Sequence, residues 1–212
     1  DRIEDLVALT VDLIRIPTIN PPGDAYVPCV EYIGQRLKHR GFDVQYIRAH
    51  DTPGDSDQYP RTNVVARVEG IGPGPTIHFN SHIDVVEVGE DWTVDPFSGL
   101  VRDGKVYGRG ACDMKGGLAA SIIAAEAYID SNPHFRGAIE ISGTVDEESG
   151  GFGGVAYMAH LGGFVAGIIV VYPRWLALGG RAYWDRTFGH PDHPKAEYRF
   201  VKTSVPVVRR RK

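Results

Sequence analysis

Gly108-Arg109-Gly110-Ala111-Cys112-Asp113-Met114-Lys115-Gly116-Gly117 packs four glycines and a single carboxylate into ten residues, directly before an alanine- and isoleucine-rich run over 115–130. Glycine at that density serves sharp turns and close backbone approach. The run that follows predicts a helix, so Asp113 stands at the mouth of one. The stretch matches neither the G-x-x-x-x-G-K-[ST] nor the G-x-G-x-x-G phosphate loop. Two uses of Asp113 are open from the residues alone: a helix N-cap, or a carboxylate presented to a ligand.

Reading outward, short apolar runs at 42–47, 63–68, 76–80 and 137–145 predict strands. Residues 2–15 predict an amphipathic helix through Ile3, Val7, Val11 and Ile14, closed by Ile16-Pro17. Asn20-Pro21-Pro22-Gly23 predicts a turn. A second helix is expected to about Arg40, with Asp24 as its N-cap, a regular part starting nearer Pro28, and Gly41 as the residue that ends it. Beyond the central region, Gly150–Gly154 predicts the lead into a short helix ending near His160, and 167–172 predicts another strand. Strands alternating with helices indicate an α/β fold, a sheet flanked by helices. Ligands in such folds bind beyond the carboxyl ends of strands. His82, Asp84, Glu147 and Glu148 all follow predicted strand ends.

Composition narrows the class. The chain has 212 residues, 42% of them hydrophobic, and a net charge of −4. No apolar run is long enough to span a membrane. Two cysteines, Cys29 and Cys112, make no disulfide framework, which favours the cytoplasm. Charge is unevenly spread: residues 173–212 carry a net of +7 and residues 1–172 a net of −11. The boundary at 172 divides the expected catalytic region from a basic tail without periodicity. No recognised nucleic-acid module surrounds the tail's arginines, so neither nucleic acid nor membrane is expected as a partner.

Several residues could carry chemistry. In an extended segment His82 and Asp84 share a face, so the histidine can bind a metal through one ring nitrogen while the other donates to a carboxylate. A turn histidine beside an acid is the plain alternative. Glu147-Glu148 reads equally as a solvated acidic turn, or as one metal ligand beside one proton acceptor. One histidine with several carboxylates suits Zn²⁺, Mn²⁺ or Co²⁺ rather than Ca²⁺. Cys112 has no identifiable base and reads as a packed or tolerated thiol. His78, His134 and His160 have no recognisable partners and read as structural or surface.

Taken together, Ser81-His82-Ile83-Asp84-Val85-Val86, Trp92 with Asp95-Pro96-Phe97, the stretch from Asp103 to Gly117, and Asp146-Glu147-Glu148-Ser149-Gly150 resemble the M20 family of metallopeptidases and deacylases. The similarity covers about residues 1–172 and is greatest to acetylornithine deacetylases and succinyl-diaminopimelate desuccinylases. The resemblance implies a zinc-exopeptidase-like catalytic domain, present in part. It implies that His82 ligates one of two metal ions, with Asp84 supporting it. Asp113 would bridge both ions through a cis Asp113-Met114 peptide, Glu148 would ligate the second, and Glu147 would be the general base and acid. The implied cofactor is a pair of divalent ions, zinc foremost, and the implied substrate an N-acyl amino acid.

The sequence also departs from that pattern. The family's further acidic ligand follows an apolar strand, where this chain has Tyr172-Pro173. A late histidine and the family's dimerisation domain have no clear counterpart. His190 and His193 are the candidates for that domain's active-site histidine, without an alignment that selects either. The competing expectation is therefore a catalytically inactive, truncated or frameshifted fragment of such an enzyme, with residues 173–212 an atypical tail or the start of a dimerisation domain.

Overall fold

Alternation of apolar residues along four strands decides which sheet face is covered. A computed structural model describes residues 2–149. The readings that fall on 150–212, including the helix near His160, the strand at 167–172, Tyr172 and the basic tail, lie outside the described residues. The elements in chain order are α1 (Ile3–Ile14), α2 (Tyr26–His39), β1 (Asp43–Arg48), β2 (Thr62–Glu69), β3 (Thr76–His82), β4 (Leu100–Arg102), β5 (Lys105–Tyr107), α3 (Lys115–Ser131) and β6 (Ala138–Thr144).

The main sheet has the order β1-β2-β6-β3. β1 with β2 and β2 with β6 run antiparallel, whereas β3 and β6 run parallel. It is the mixed sheet with flanking helices that the sequence predicts. Val64, Ala66, Ile139 and Ile141 lie on one face and join Leu9, Leu13, Ile33, Leu37, Leu118 and Ile122 from the helices in a single buried cluster. Parallel strands need a crossover, and α3 supplies it between β3 and β6. The consequence for function is positional. His82 at the end of β3 pairs with Thr144 at the end of β6, so the segments that follow both strands leave the sheet at one edge.

The opposite face is a polar ladder. His78 has the partners that the sequence did not reveal: its Nε2 lies 2.8 Å from Ser142 Oγ and its Nδ1 3.6 Å from Glu140. Ser142 donates to Asn80 Oδ1 at 2.7 Å, so His78 Nε2 is the donor toward Ser142. Arg67 extends the ladder to Glu140. β4 and β5 form a hairpin about Asp103-Gly104, both at positive φ (52° and 70°), as a two-residue primed turn requires.

Helix boundaries correct two expectations. α2 starts at Tyr26 behind Ala25, which is left-handed, and Asp24 makes no capping bond. Pro28 sits inside the first turn, where an N–H has no helical partner to lose. Gly41 behaves as expected. Its N–H reaches Lys38 O and that of Phe42 reaches Leu37 O, the paired bonds of a Schellman end. Among the described residues no helix is long and apolar enough to cross a membrane.

Two charges on α3 are buried, of opposite sign, and each ties another helix to it. Glu126 takes two bonds from Arg36 of α2 (2.8 and 2.9 Å) and one from Arg2 before α1 (2.8 Å). Lys115 Nζ donates to the Leu13 and Ile16 carbonyls at the end of α1 (2.9 and 2.6 Å), and burial pushes its pKa down to about 8. Removing one side of a buried pair strands the other. Glu126→Gln, which keeps the shape and loses the charge, is expected to destabilise the chain by about 2 kcal/mol in urea unfolding, tempered by the partial exposure of both arginines. An unchanged urea midpoint would show that the cluster is stability-neutral.

Candidate metal centre

The site grows from the two parallel strand ends. After His82 the chain continues extended through Ile83-Asp84-Val85, held by the loop that follows α1. Ile19 bridges Val85 in parallel, Val85 N donates to Thr18 O, Asn20 N donates to Val85 O, and Thr18 Oγ1 donates to Ile83 O. The Asn20–Pro21 and Pro21–Pro22 peptides of that loop are cis, and so is Asp113–Met114, as the resemblance implies.

His82 is buried, and its two nitrogens are distinguished by their partners. Nδ1 lies 3.1 Å from the Asp84 backbone carbonyl. A carbonyl only accepts, so Nδ1 carries a proton and Nε2 is the nitrogen turned to the site. Nε2 lies 3.1 Å from Asp113 Oδ1 and 3.7 Å from Glu147 Oε2. His82, Glu147 and Glu148 each offer a ligand atom within 4.8 Å of the others. The residues singled out in the sequence thus converge, from three separate segments.

Asp84 lies behind them, fully buried. Its Oδ2 accepts from Asn20 Nδ2 and from the Glu148 backbone N–H, both at 3.0 Å. Its Oδ1 stands 3.5 Å from His82 Nδ1, with no hydrogen bond of its own among the described residues. One carboxylate therefore faces the histidine and pins the glutamate turn.

Asp113 is not a helix cap. The residue before α3 is Met114, and the helix start has no side-chain cap. The Asp113 side chain is 75% exposed and directed at His82 Nε2. Met114 tucks its sulfur against the His82 N–H at 3.3 Å.

Electrostatics favour a cation among these groups. Burial alone would lower the His82 pKa, but the Asp84, Glu147 and Asp113 carboxylates outweigh it and raise it to about 9. Burial likewise works against ionising Asp84, yet the facing His82 imidazole and the bonds from Asn20 and the Glu148 N–H hold its carboxyl below the usual range. Glu148 is shifted up, by burial and then by the charge of Asp113. A field that holds a proton on an imidazole also favours a divalent ion in the proton's place. The donor set, one imidazole with carboxylates, matches ions of the zinc, manganese and cobalt group.

Comparison with known proteins decides the lineage. The model of peptidase family M20/M25/M40 matches residues 78–208. The chain belongs to peptidase family M20. The succinyl-diaminopimelate desuccinylase of Stenotrophomonas maltophilia (strain K279a) is 37% identical over 155 residues, which is 72% of this chain and 38% of that protein. The chain therefore spans well under half the length of this relative. Among solved structures, an M20 family metallo-carboxypeptidase from Sulfolobus solfataricus aligns with a TM-score of 0.58 at 21% identity, covering 69% of this chain and 32% of that one. Human carnosine dipeptidase 1 aligns with a TM-score of 0.58 at 22% identity, covering 71% and 34%. At these identities the two structures speak for the M20 fold.

Motif reading named the residues that converge in this M20 chain and left out those that brace them. Asn20 and Lys115 sat inside segments already read as turn and helix. Arg61, Tyr26 and Asn63 carried no local signal, because their partners are far away in sequence. Asn63 Oδ1, for example, accepts from the Val145 N–H at 3.0 Å. Asp84→Ala would strip the Glu148 N–H and Asn20 of their shared acceptor. It is expected to destabilise the metal-free chain by about 2–3 kcal/mol in chemical unfolding, and equal stability of variant and parent would show that Asp84 does not brace the turn.

Proposed function

We propose that this chain carries the amide-hydrolysing centre of an N-acyl amino acid deacylase, of the acetylornithine deacetylase and succinyl-diaminopimelate desuccinylase kind. The observation that supports this reading most is the convergence of His82 with the Glu147 and Glu148 carboxylates, with Asp113 3.1 Å from its Nε2. His82, Asp113 and Glu148 would hold two divalent ions, zinc foremost and cobalt or manganese as alternatives, with Asp113 between them. Bound there, the ions supply Lewis-acid polarisation of the substrate carbonyl and acidification of water.

The chain's own residues do the rest. Asp84 keeps the His82 ring oriented and its Nδ1 protonated, which leaves Nε2 as the ligand. Glu147 is adjacent to a ligand but is assigned to proton transfer. Water oxygen bonds to the amide carbon, the carbon–nitrogen bond breaks, and Glu147 carries a proton from the water to the departing amine. The products are a carboxylic acid and an amino acid. The relative from Stenotrophomonas is a desuccinylase, which puts succinyl substrates first among those to try. Two unpaired cysteines, Cys29 and Cys112, suit a reducing compartment such as the cytoplasm.

The second reading, an inactive fragment, is favoured by Tyr172 at the position where the resemblance places a further acidic ligand. One set of measurements separates the two. The deacylase reading expects about two equivalents of zinc per chain and turnover of N-succinyl or N-acetyl amino acids. It also expects Glu147→Gln to abolish turnover while metal stays bound. Metal binding without turnover in the parent supports the fragment. Turnover that survives in Glu147→Gln removes Glu147 from the mechanism.

A further inference from the structure

The turn bearing Glu147 and Glu148 is gripped by residues that belong to no motif, and the tightest grip falls on Asp146. That residue has φ 66°, in the left-handed region that an aspartate tolerates and most side chains avoid. Both of its carboxylate oxygens are engaged. Oδ1 accepts from the Tyr26 hydroxyl at 3.1 Å and Oδ2 from Arg61 Nε at 3.0 Å.

Arg61 itself is only 5% exposed, unusual for a guanidinium. Its Nη1 donates to the Pro22 and Tyr59 carbonyls (2.8 and 3.0 Å), and its Cζ lies 5.4 Å from the centre of the Tyr26 ring. Two glycines clear its space: a Cβ at Gly23 or at Gly54 would run into the guanidinium. A buried charge contributes less to stability than an apolar side chain of its size would, whereas the planar fork fixes direction. Here the direction fixed is that of the residue directly before Glu147. The same guanidinium joins that residue to the loop containing Asn20, which bonds Asp84 and Ser149.

We propose that Arg61, acting through Asp146 and seconded by Tyr26, is a positioning residue for the metal-binding glutamate turn. The proposal rests on the metal-centre reading given above. Arg61 bonds Asp146, Pro22 and Tyr59 rather than His82, Asp113 or Glu148. It sets the backbone from which Glu147 and Glu148 project.

The test is Co²⁺ titration of the full chain, followed by calorimetry and by the visible absorption of the bound ion, with thermal unfolding of each metal-free variant alongside. Arg61→Met is expected to weaken Co²⁺ binding by about tenfold and to change the absorption band, the scale seen when support behind a ligand is lost. Asp146→Asn, which keeps the shape and the tolerance for positive φ, is expected to weaken it similarly. The double variant should lose no more than the weaker-binding single, because the two residues act as one unit. Arg61→Lys keeps the charge without the fork and should remain weakened.

Co²⁺ affinities within about twofold of the parent in Arg61→Met and Asp146→Asn, with only the melting temperature lowered, would overturn the proposal and leave a purely structural clamp. If Arg61→Met does not fold, Asp146→Asn decides by the same criterion. A parent chain that binds no Co²⁺ would overturn the metal-centre reading and this proposal with it. A binding parent with unaffected variants overturns this proposal alone.

Discussion

A carboxylate with no access to water must be answered by its neighbours, and the neighbours of Asp84 are the parts of the site. It lies at 0% exposure and nevertheless keeps its pKa below the ordinary range, with burial opposing and its hydrogen bonds prevailing. Its partners come from three segments: Asn20 after α1, His82 at the end of β3, and the Glu148 N–H after β6. Desolvating an unpaired carboxylate is expensive, so Asp84 can be buried only if those segments meet. The parallel pairing of β3 with β6 delivers two of them to one edge. The bridge between Ile19 and Val85 delivers the third. Position of the site and burial of Asp84 are thus one constraint seen from two sides.

The same economy governs α3. A helix rich in alanine and isoleucine can lie almost anywhere on an apolar sheet face, since dispersion and hydrophobic burial carry little directional information. Lys115 and Glu126, both at 0% exposure and on the same helix, supply the direction. Lys115 fits only where the Leu13 and Ile16 carbonyls at the end of α1 can receive it, each offering the ammonium a lone pair that its backbone donor leaves over. Glu126 fits only where Arg36 and Arg2 reach it. Placing α3 in this way also places the peptide before it, and with it Asp113.

What could be read from the sequence follows from how local each signal is. Strand alternation and helix spacing are carried by neighbours in the chain, so the mixed sheet with flanking helices was legible, as were Gly41 and the convergence of His82, Asp84, Asp113, Glu147 and Glu148. Asp24 failed as a cap because a left-handed Ala25 takes the N-cap position, which leaves Asp24 one residue outside α2. His78 looked partnerless because Ser142 and Glu140 are more than sixty positions away and meet it only through the β3–β6 register. Arg61 was invisible for the same reason: its partners Pro22 and Asp146 lie on either side of it in the chain, 39 and 85 positions distant.

Asp113 shows how a local rule can be set aside by a distant demand. An aspartate before a helix ordinarily satisfies a first-turn N–H and gains from the macrodipole. In this chain α3 begins without any side-chain cap. At that end Lys115 N donates to the Gly110 carbonyl, inside the glycine-rich loop, and Leu118 N makes the first bond of the helix itself, to the Met114 carbonyl. The loop backbone thus answers one first-turn N–H without the aspartate. A carboxylate relieved of capping and held 3.1 Å from a buried imidazole has another use. Its exposure, set against the burial of His82 and Asp84 behind it, puts Asp113 on the solvent side of the cluster. A helix without a side-chain cap forgoes about 1 kcal/mol, and the aspartate that could have supplied one is directed at His82 instead.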